Sequence, residues 1–172
     1  MSTALLVDEV SEAPSFQDDD FQPVRTGVTV LVPAYNEAES VADTIKSLQN
    51  QTIPPAEIIV IDDCSSDNTS EVARALGVTV IRPTKNTGSK AGAQNYALRY
   101  VKTEYTMAID ADTTIAPDSI EHFMKVMGDG TVAAACGFVV PRHVKSVWER
   151  GRYIEYLLAF AFYKPLQDYF SK

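Results

Sequence analysis

The sequence has few cysteines and no long apolar run, and these two shortages exclude several classes of protein. Cys64 and Cys136 are too few for a disulfide framework or a zinc site, so a reducing compartment is expected. No apolar run approaches the ~20 residues of a membrane span. The N-terminus lacks the basic and then apolar pattern of a signal segment. The chain is therefore predicted to be cytoplasmic and soluble, or at most to touch a membrane surface.

Basic residues are also scarce. The chain has 15 Lys and Arg against 23 Asp and Glu, a net charge of -8, which argues against a nucleic-acid-binding protein. Residues 1–27 hold six of the acids, only one base and no sustained hydrophobic periodicity. This stretch is predicted to be an acidic, flexible tail.

The familiar nucleotide-binding motifs are missing as well. No G-x-G-x-x-G follows the first predicted strand, and no G-x-x-x-x-G-K-[ST] occurs anywhere in the chain. The segment "TGSKAG" is too short for the second motif and lacks a hydroxyl residue after its lysine. These absences argue against a Rossmann dinucleotide enzyme and against a P-loop ATPase.

From Val28 onward the chain alternates between strand-like and helix-like segments. This alternation predicts an α/β fold, a mainly parallel sheet with helices on both faces, over residues 28–140. The predicted strands are 28–33, 56–63, 78–83, 105–110 and 131–140, and the predicted helices are 37–51, 66–77, 89–102 and 117–127. Residues 141–172 are predicted to be largely helical, including the aromatic segment 153–170.

Each of the first four predicted strands ends in a polar motif. These motifs are "PAYNE", "DDCSSD", "NTGSK" and "DAD", in chain order. The carboxyl ends of parallel strands meet at one edge of a sheet, where ligands of α/β proteins bind. The sequence therefore predicts one ligand site built from all four motifs.

Asp110 and Asp112, in "MAIDADTTI", leave three uses open. They could bind a metal ion, attack a phosphate, or cap the next helix. Residues i and i+2 of a strand face the same side, so both carboxylates would reach one ion if the strand extends that far.

A resemblance to a known family rests on four segments in this order. "VPAYNEAESVADTIKSLQNQ", "IIVIDDCSSDNT", "GSKAGAQNYAL" and "IDADT" are similar to the nucleotide-binding half of family-2 inverting glycosyltransferases with the GT-A fold. The resemblance covers about residues 28–170, and its lysine segment resembles processive cellulose, chitin and hyaluronan synthases. It implies metal-assisted, inverting transfer of a sugar from a nucleotide-sugar donor, with a UDP-sugar favoured, to a saccharide or polysaccharide acceptor.

The resemblance also implies roles for individual nucleotide-binding residues. Pro33, Tyr35 and Glu37 correspond to the loop that packs around uracil and ribose. Asp63 corresponds to the carboxylate that accepts a hydrogen bond from the base, whereas Asp62 is expected to tie the loop. Cys64 replaces the glycine that is usual in the family, and this departure suggests that the loop does not need a positive φ there.

The phosphate end of the predicted site involves three charged residues. The resemblance implies that Lys90 approaches the diphosphate, that Asp110 lies near the ribose or a metal-bound water, and that Asp112 binds the metal directly. Mg²⁺ or Mn²⁺ is the expected cofactor, because a hard cation can stabilise the charge of a leaving diphosphate. Lys90 could instead be an exposed lysine at a helix start, and Tyr35 could be a core residue. Glu37 and Asp67 could be first-turn helix acids, an interpretation we favour for Asp67.

No catalytic base can be named from this sequence. The acidic motif that activates the acceptor in the family, and the Gln-x-x-Arg-Trp motif of the polysaccharide synthases, are not found. The chain is therefore expected to be truncated, with residues 141–172 leading into an absent acceptor half. Segment 153–170 is expected to expose an apolar face that meets a membrane surface or a second copy. The parent protein would then lie at the cytoplasmic face of a membrane.

Two other functions stay open at this stage. "MAIDADTT" fits the motif of haloacid-dehalogenase-type phosphatases, with Asp110 as nucleophile and Asp112 as acid/base. That motif normally opens its domain, however, and here the "IDD" segment and the glycine-lysine turn come first. The other alternative is a non-catalytic fragment that binds sugar nucleotides without transferring the sugar.

Overall fold

A computed structural model describes residues 25–137, 140 and 147–158. The chain divides into two compact units, Met1–His122 and Phe123–Lys172.

The first unit is built on a parallel sheet of four strands in the order β3-β2-β1-β4. The strands are β1 Arg25–Ala34, β2 Glu57–Asp62, β3 Thr79–Ile81 and β4 Thr103–Ala108. The helices between and after them are α1 Val41–Gln49, α2 Thr69–Ala75 and α3 Lys90–Leu98, and the unit ends within α4, Ser119–Met127. The predicted alternation of strands and helices and the parallel sheet are confirmed.

The core lies against both faces of β1. Leu31 belongs to a buried cluster with β2 and α3, whose members are Leu31, Ile59, Ile61, Ala93, Ala97 and Val101. Val30 and Val32, which alternate with Leu31, are fully buried too. Because successive residues of a strand point to opposite faces, neither face of β1 is open to solvent.

Helix α1 shows how local pattern and packing agree. Val41, Ile45 and Leu48 recur at helical spacing and are fully buried. The helix begins after Ser40, where the Glu37 carbonyl accepts hydrogen bonds from the backbone N–H groups of Ser40 and Val41. Strand β1 passes into α1 through the short loop "YNEAES", residues 35–40.

Two strand predictions need correction. Strand β4 ends at Ala108, so Asp110 and Asp112 lie beyond it and strand alternation does not place them. Residues 131–137 form no strand, because Asp129 accepts hydrogen bonds from Thr131 and Val132 and closes a turn there. The alanines and glycine that follow have low strand propensity.

The second unit begins within α4 and contains α5, Val147–Leu158. The predicted helical segment 153–170 is confirmed as far as Leu158, and residues 159–170 lie outside the described part of the chain. Trp148 is 85% exposed, and Ile154 and Leu158 are exposed as well. Among the described residues no helix has the length and apolar character needed to cross a bilayer.

Candidate functional site

The polar motifs meet at a cleft beyond the carboxyl ends of the strands. The cleft has a volume of about 230 Å³ and is lined by Pro33, Ala34, Tyr35, Glu37, Asp63, Lys90, Ala93, Asp110, Ala111 and Asp112. All seven residues named from the sequence as nucleotide or metal ligands are among these lining residues. The parallel sheet brings them together, because it places the ends of β1, β2 and β4 and the start of α3 at one edge.

The loop after β1 presents an aromatic ring to solvent. Tyr35 is 56% exposed, so the interpretation of Tyr35 as a core residue is wrong. The next residue, Asn36, has a φ of 56° and binds the loop after β2. Its backbone N–H donates to Ser65 Oγ at 2.9 Å, and its Oδ1 accepts from the Ser66 N–H at 2.8 Å. The backbone next to the exposed Tyr35 ring is therefore fixed by hydrogen bonds to the loop after β2.

Further hydrogen bonds join the same two loops. The Glu37 N–H donates to Thr69 Oγ1 at 2.9 Å, and the Ala38 N–H donates to Asp67 Oδ2 at 3.1 Å. Asp67 also accepts from the N–H and the hydroxyl of Thr69 at the start of α2. The hydrogen bond from the Thr69 hydroxyl is the largest cause of the lowered pKa of Asp67. Asp67 precedes α2, whose first-turn acid is Glu71, so the favoured interpretation of Asp67 as a first-turn helix acid is wrong. Its carboxylate instead joins the loop after β1 to the start of α2.

Asp62 ties the loop after β2 from inside the protein. It is fully buried and accepts hydrogen bonds from the Ser65 N–H, the Ser70 hydroxyl and the Arg82 guanidinium. Burial raises its pKa, but the hydrogen bonds from Ser65 and Ser70 and the charge of Arg82 outweigh burial, so the pKa lies below its ordinary value of 3.8. The expected structural role of Asp62 is confirmed.

Asp63 faces the cleft and is held by the loop after β3. The residue is only 6% exposed. Its Oδ1 accepts from the Thr87 N–H and its Oδ2 from the Thr87 hydroxyl, both at 2.8 Å. The Asp63 carbonyl also accepts from Asn86 Nδ2 at 2.7 Å. The sequence indicates the "NTGSK" turn but not the hydrogen bonds from Asn86 and Thr87, because contacts between residues 23 and 24 positions apart leave no local pattern.

The expectation for Cys64 is wrong. Its φ is 66°, so this position adopts the left-handed conformation even though it is not glycine. The Cys64 N–H donates to the Asp62 carbonyl at 2.8 Å, and the half-buried thiol contacts the Pro83 carbonyl. The tight turn between Asp62 and Ser65 requires this conformation whatever the side chain, and a Cβ there costs about 1 kcal/mol.

At the other end of the cleft, Lys90 and Asp110 form an ion pair. Lys90 Nζ lies 2.5 Å from Asp110 Oδ1, and both side chains are about half exposed. Lys90 is the first residue of α3, whose cap is Ser89: its Oγ accepts from the Gly92 N–H at 3.0 Å. Lys90 is thus both a helix-start lysine and a cation on the cleft wall.

Asp110 and Asp112 reach the cleft by way of a turn. The Thr113 N–H donates to the Asp110 carbonyl at 3.0 Å. Between the two acids Ala111 is buried, and its carbonyl accepts from Thr44 Oγ1 at 2.8 Å. Because Ala111 is anchored to α1, the carboxylates on either side of it project outward.

The two carboxylates suit a hard cation that is only partly enclosed by protein. Asp112 is exposed, and its one recorded hydrogen bond comes from the Thr113 hydroxyl at 3.3 Å, so no backbone N–H in the described chain is capped by it. The N–H of Ile120 in the first turn of α4 donates instead to Gln51 Oε1. No group of three or more His, Cys, Asp and Glu residues suited to a metal occurs in the described part. Mg²⁺ in particular often takes one or two carboxylates with water and phosphate oxygens.

Comparison with known proteins identifies the class. The family model described as "Glycosyl transferase family 2" matches residues 29–171, most of the chain. The chain belongs to this family. Its membership, together with the order of the motifs, argues against the haloacid-dehalogenase phosphatase alternative.

Individual relatives show the same kinship. The hyaluronan synthase of Streptococcus pyogenes is 35% identical over 127 residues, which cover 67% of this chain and 30% of the relative. A mannosyltransferase from Pyrobaculum calidifontis, PcManGT, solved with GDP-Man and Mn²⁺, has a TM-score of 0.58 and 30% identity over 69% of this chain and 37% of its own. S. aureus TarS 1-349, solved with UDP-GlcNAc, has a TM-score of 0.53 and 27% identity over 58% of this chain and 31% of its own. The chain therefore spans about a third of the length of the relatives it matches.

Proposed function

We propose that the cleft binds a nucleotide-sugar donor, with a UDP-sugar favoured, and that the protein transfers the sugar with inversion to a saccharide or polysaccharide acceptor. The observation that carries the proposal is the convergence of Tyr35, Asp63, Lys90 and the two acids Asp110 and Asp112 on one cleft. Support comes from TarS, solved with UDP-GlcNAc, and from the hyaluronan synthase relative. PcManGT was solved with GDP-Man, so titration with UDP and with GDP decides which nucleobase the cleft binds.

In this proposal the two ends of the cleft hold different parts of the donor. Asp63 accepts a hydrogen bond from the base, while the exposed ring of Tyr35 offers an apolar face to base or ribose. Pro33 and Glu37 complete the pocket around the nucleoside. Residues 28–140 would thus form the donor-binding domain, and residues 141–172 would lead toward an acceptor-binding half.

At the phosphate end, Lys90 would exchange its ion pair with Asp110 for the diphosphate, which offers more negative charge. Asp112, with Asp110, would hold Mg²⁺ or Mn²⁺, which supplies Lewis-acid stabilisation of the leaving diphosphate when bound. The mannosyltransferase solved with Mn²⁺ supports a divalent ion. We propose no catalytic base.

The proposed compartment is the cytoplasm, where Cys64 and Cys136, which are both free, would stay reduced. We propose that the parent protein acts there at the cytoplasmic face of a membrane.

Calorimetric titration of UDP with Mn²⁺ and with a chelator tests the proposal. Asp112→Asn should abolish the metal-dependent part of UDP binding, because it removes a charged ligand and keeps the size. Asp63→Asn should weaken UDP binding about tenfold or more under both conditions, because an amide replaces the charged acceptor. Asp118→Asn, an exposed aspartate outside the cleft, is the matched control and should bind UDP like the parent.

Two results would contradict the proposal. One is that Asp112→Asn binds UDP like the parent with and without Mn²⁺. The other is that UDP and GDP both fail to bind the parent chain. A transfer assay with UDP-sugars and a saccharide acceptor then separates an enzyme from a non-catalytic nucleotide-binding fragment, because only the enzyme releases UDP together with glycosylated product.

A further inference from the structure

The segment 86–92, "NTGSKAG", contacts both ends of the cleft, but the proposed function uses only its lysine. Asn86 and Thr87 bind Asp63, whereas Lys90, three residues later, binds Asp110. Thr87 is the residue of this segment that contacts the Asp63 carboxylate itself. It gives both of its donors, the backbone N–H and the hydroxyl, to the two oxygens of one carboxylate.

This double contact determines how the Asp63 carboxylate is oriented. A carboxyl group turns readily about its terminal bond, because that torsion has only broad minima. Two hydrogen bonds at 2.8 Å from one residue, one to each oxygen, prevent that rotation. The Thr87 hydroxyl also lies 3.1 Å from the Ser89 carbonyl, but its single proton favours the shorter, charge-assisted contact to Asp63.

The packing around Thr87 holds this arrangement in place. The position that a Cβ on Gly92 would occupy lies 2.9 Å from the Thr87 carbonyl oxygen and 3.0 Å from Thr87 Cβ and Oγ1. Glycine therefore allows α3 to approach Thr87 this closely. Asn86 Oδ1 accepts from the Gly88 N–H at 2.8 Å, which closes the turn between them.

We propose that Thr87 is a positioning residue that sets nucleobase selectivity by orienting Asp63. This inference rests on the proposed function, in which Asp63 meets the base. An ionised carboxylate accepts hydrogen bonds and donates none. Held in one orientation by Thr87, it favours a base with an N–H at the facing ring position, as uracil has at N3. It disfavours cytosine, whose N3 carries a lone pair there.

The test compares UDP, CDP and inorganic diphosphate, each titrated with Mn²⁺ against the whole chain. UDP and CDP carry the same ribose and phosphates, so the ratio of their affinities reports on the base alone. Inorganic diphosphate reports on the Lys90 and Asp112 end. The parent should prefer UDP to CDP by about tenfold or more.

Two substitutions isolate the Thr87 hydroxyl. Thr87→Val keeps the shape and removes the donor, so the preference for UDP over CDP should fall toward unity while diphosphate affinity stays within about twofold. Thr87→Ser keeps both donors and should keep the preference. If Thr87→Val does not fold, as judged by thermal unfolding, Thr87→Ala removes the same hydroxyl without adding bulk and replaces it.

The outcomes separate this inference from the function on which it rests. If the parent binds UDP and CDP equally, the proposed role of Asp63 fails and the inference fails with it. If the parent prefers UDP and Thr87→Val keeps that preference, the inference on Thr87 is overturned and the proposed function stands. If Thr87→Val weakens UDP, CDP and diphosphate by the same factor, Thr87 is a structural residue only, which also overturns the inference.

Discussion

Asp62 and Asp63 are neighbours at the end of β2, but their side chains have no partner in common. Asp62 binds Ser65, Ser70 and Arg82 inside the protein, whereas Asp63 binds Thr87 at the cleft. The first carboxylate holds the loop and the second is available to a ligand. A pair of identical residues thus takes two roles, because Asp62 is the last residue of β2 and is buried, whereas Asp63 lies in the loop beyond the strand and lines the cleft.

Asp62 should make the stability of the protein sensitive to acid. Its folded-state pKa is depressed, so its contribution is fully present above the unfolded-state pKa and is lost as pH falls through the folded-state pKa. Asp62→Asn should lower the free energy of unfolding by about 1–3 kcal/mol at pH 7 and flatten its decline below the ordinary value of 3.8. Urea unfolding, measured from pH 7 down to below pH 3.8, gives both the loss of unfolding free energy and its dependence on pH. An equally steep acid decline in Asp62→Asn and in the exposed control Asp118→Asn would rule out this role.

At the scale of elements, the N-terminus of α3 carries the tightest approach in the site. Helix propensity alone predicts that Gly92→Ala stabilises α3 by about 1 kcal/mol. The added Cβ would lie 2.9 Å from the Thr87 carbonyl oxygen, a backbone atom that cannot move aside cheaply. The close packing therefore opposes the propensity of the helix.

We expect the packing to decide the effect of Gly92→Ala. The variant should lower the unfolding free energy, by about 1 kcal/mol or more after the propensity gain is offset, and should weaken UDP binding through displacement of Thr87. Ala91→Gly, at an exposed neighbouring position, measures the propensity term separately and should cost about 1 kcal/mol without changing UDP affinity. Chemical denaturation and calorimetry provide both readouts, and a stabilised Gly92→Ala with parental UDP affinity would contradict the expectation.

We expect the sheet to unfold locally at its β3 edge before its centre unfolds. In the described sheet β1 and β2 each pair with two strands, whereas β3 pairs only with β2 and has three residues that are exposed or half-buried. Local opening therefore costs less at β3 than at the centre. Amide hydrogen exchange should be slowest in Leu31 and Val60 and about tenfold or more faster in β3. Equal protection of all four strands would show that the first unit opens only globally.

The sequence by itself determined the fold class, the four polar strand ends and seven of the ten residues that line the cleft. It could do so because apolar periodicity and turn chemistry are local, and because parallel strands bring their carboxyl ends together. It also identified Asp62 as a structural residue.

The tertiary structure alone decided where β4 ends, that residues 131–137 form no strand, and that Cys64 takes a positive φ. Each depends on contacts far along the chain or on a tight turn that residue type does not reveal. The anchoring of Ala111 by Thr44, 67 residues away, places two acids at the cleft without strand alternation. The hydrogen bonds from Thr87 to Asp63 are likewise long-range contacts, and only folding brings these two residues within hydrogen-bonding distance.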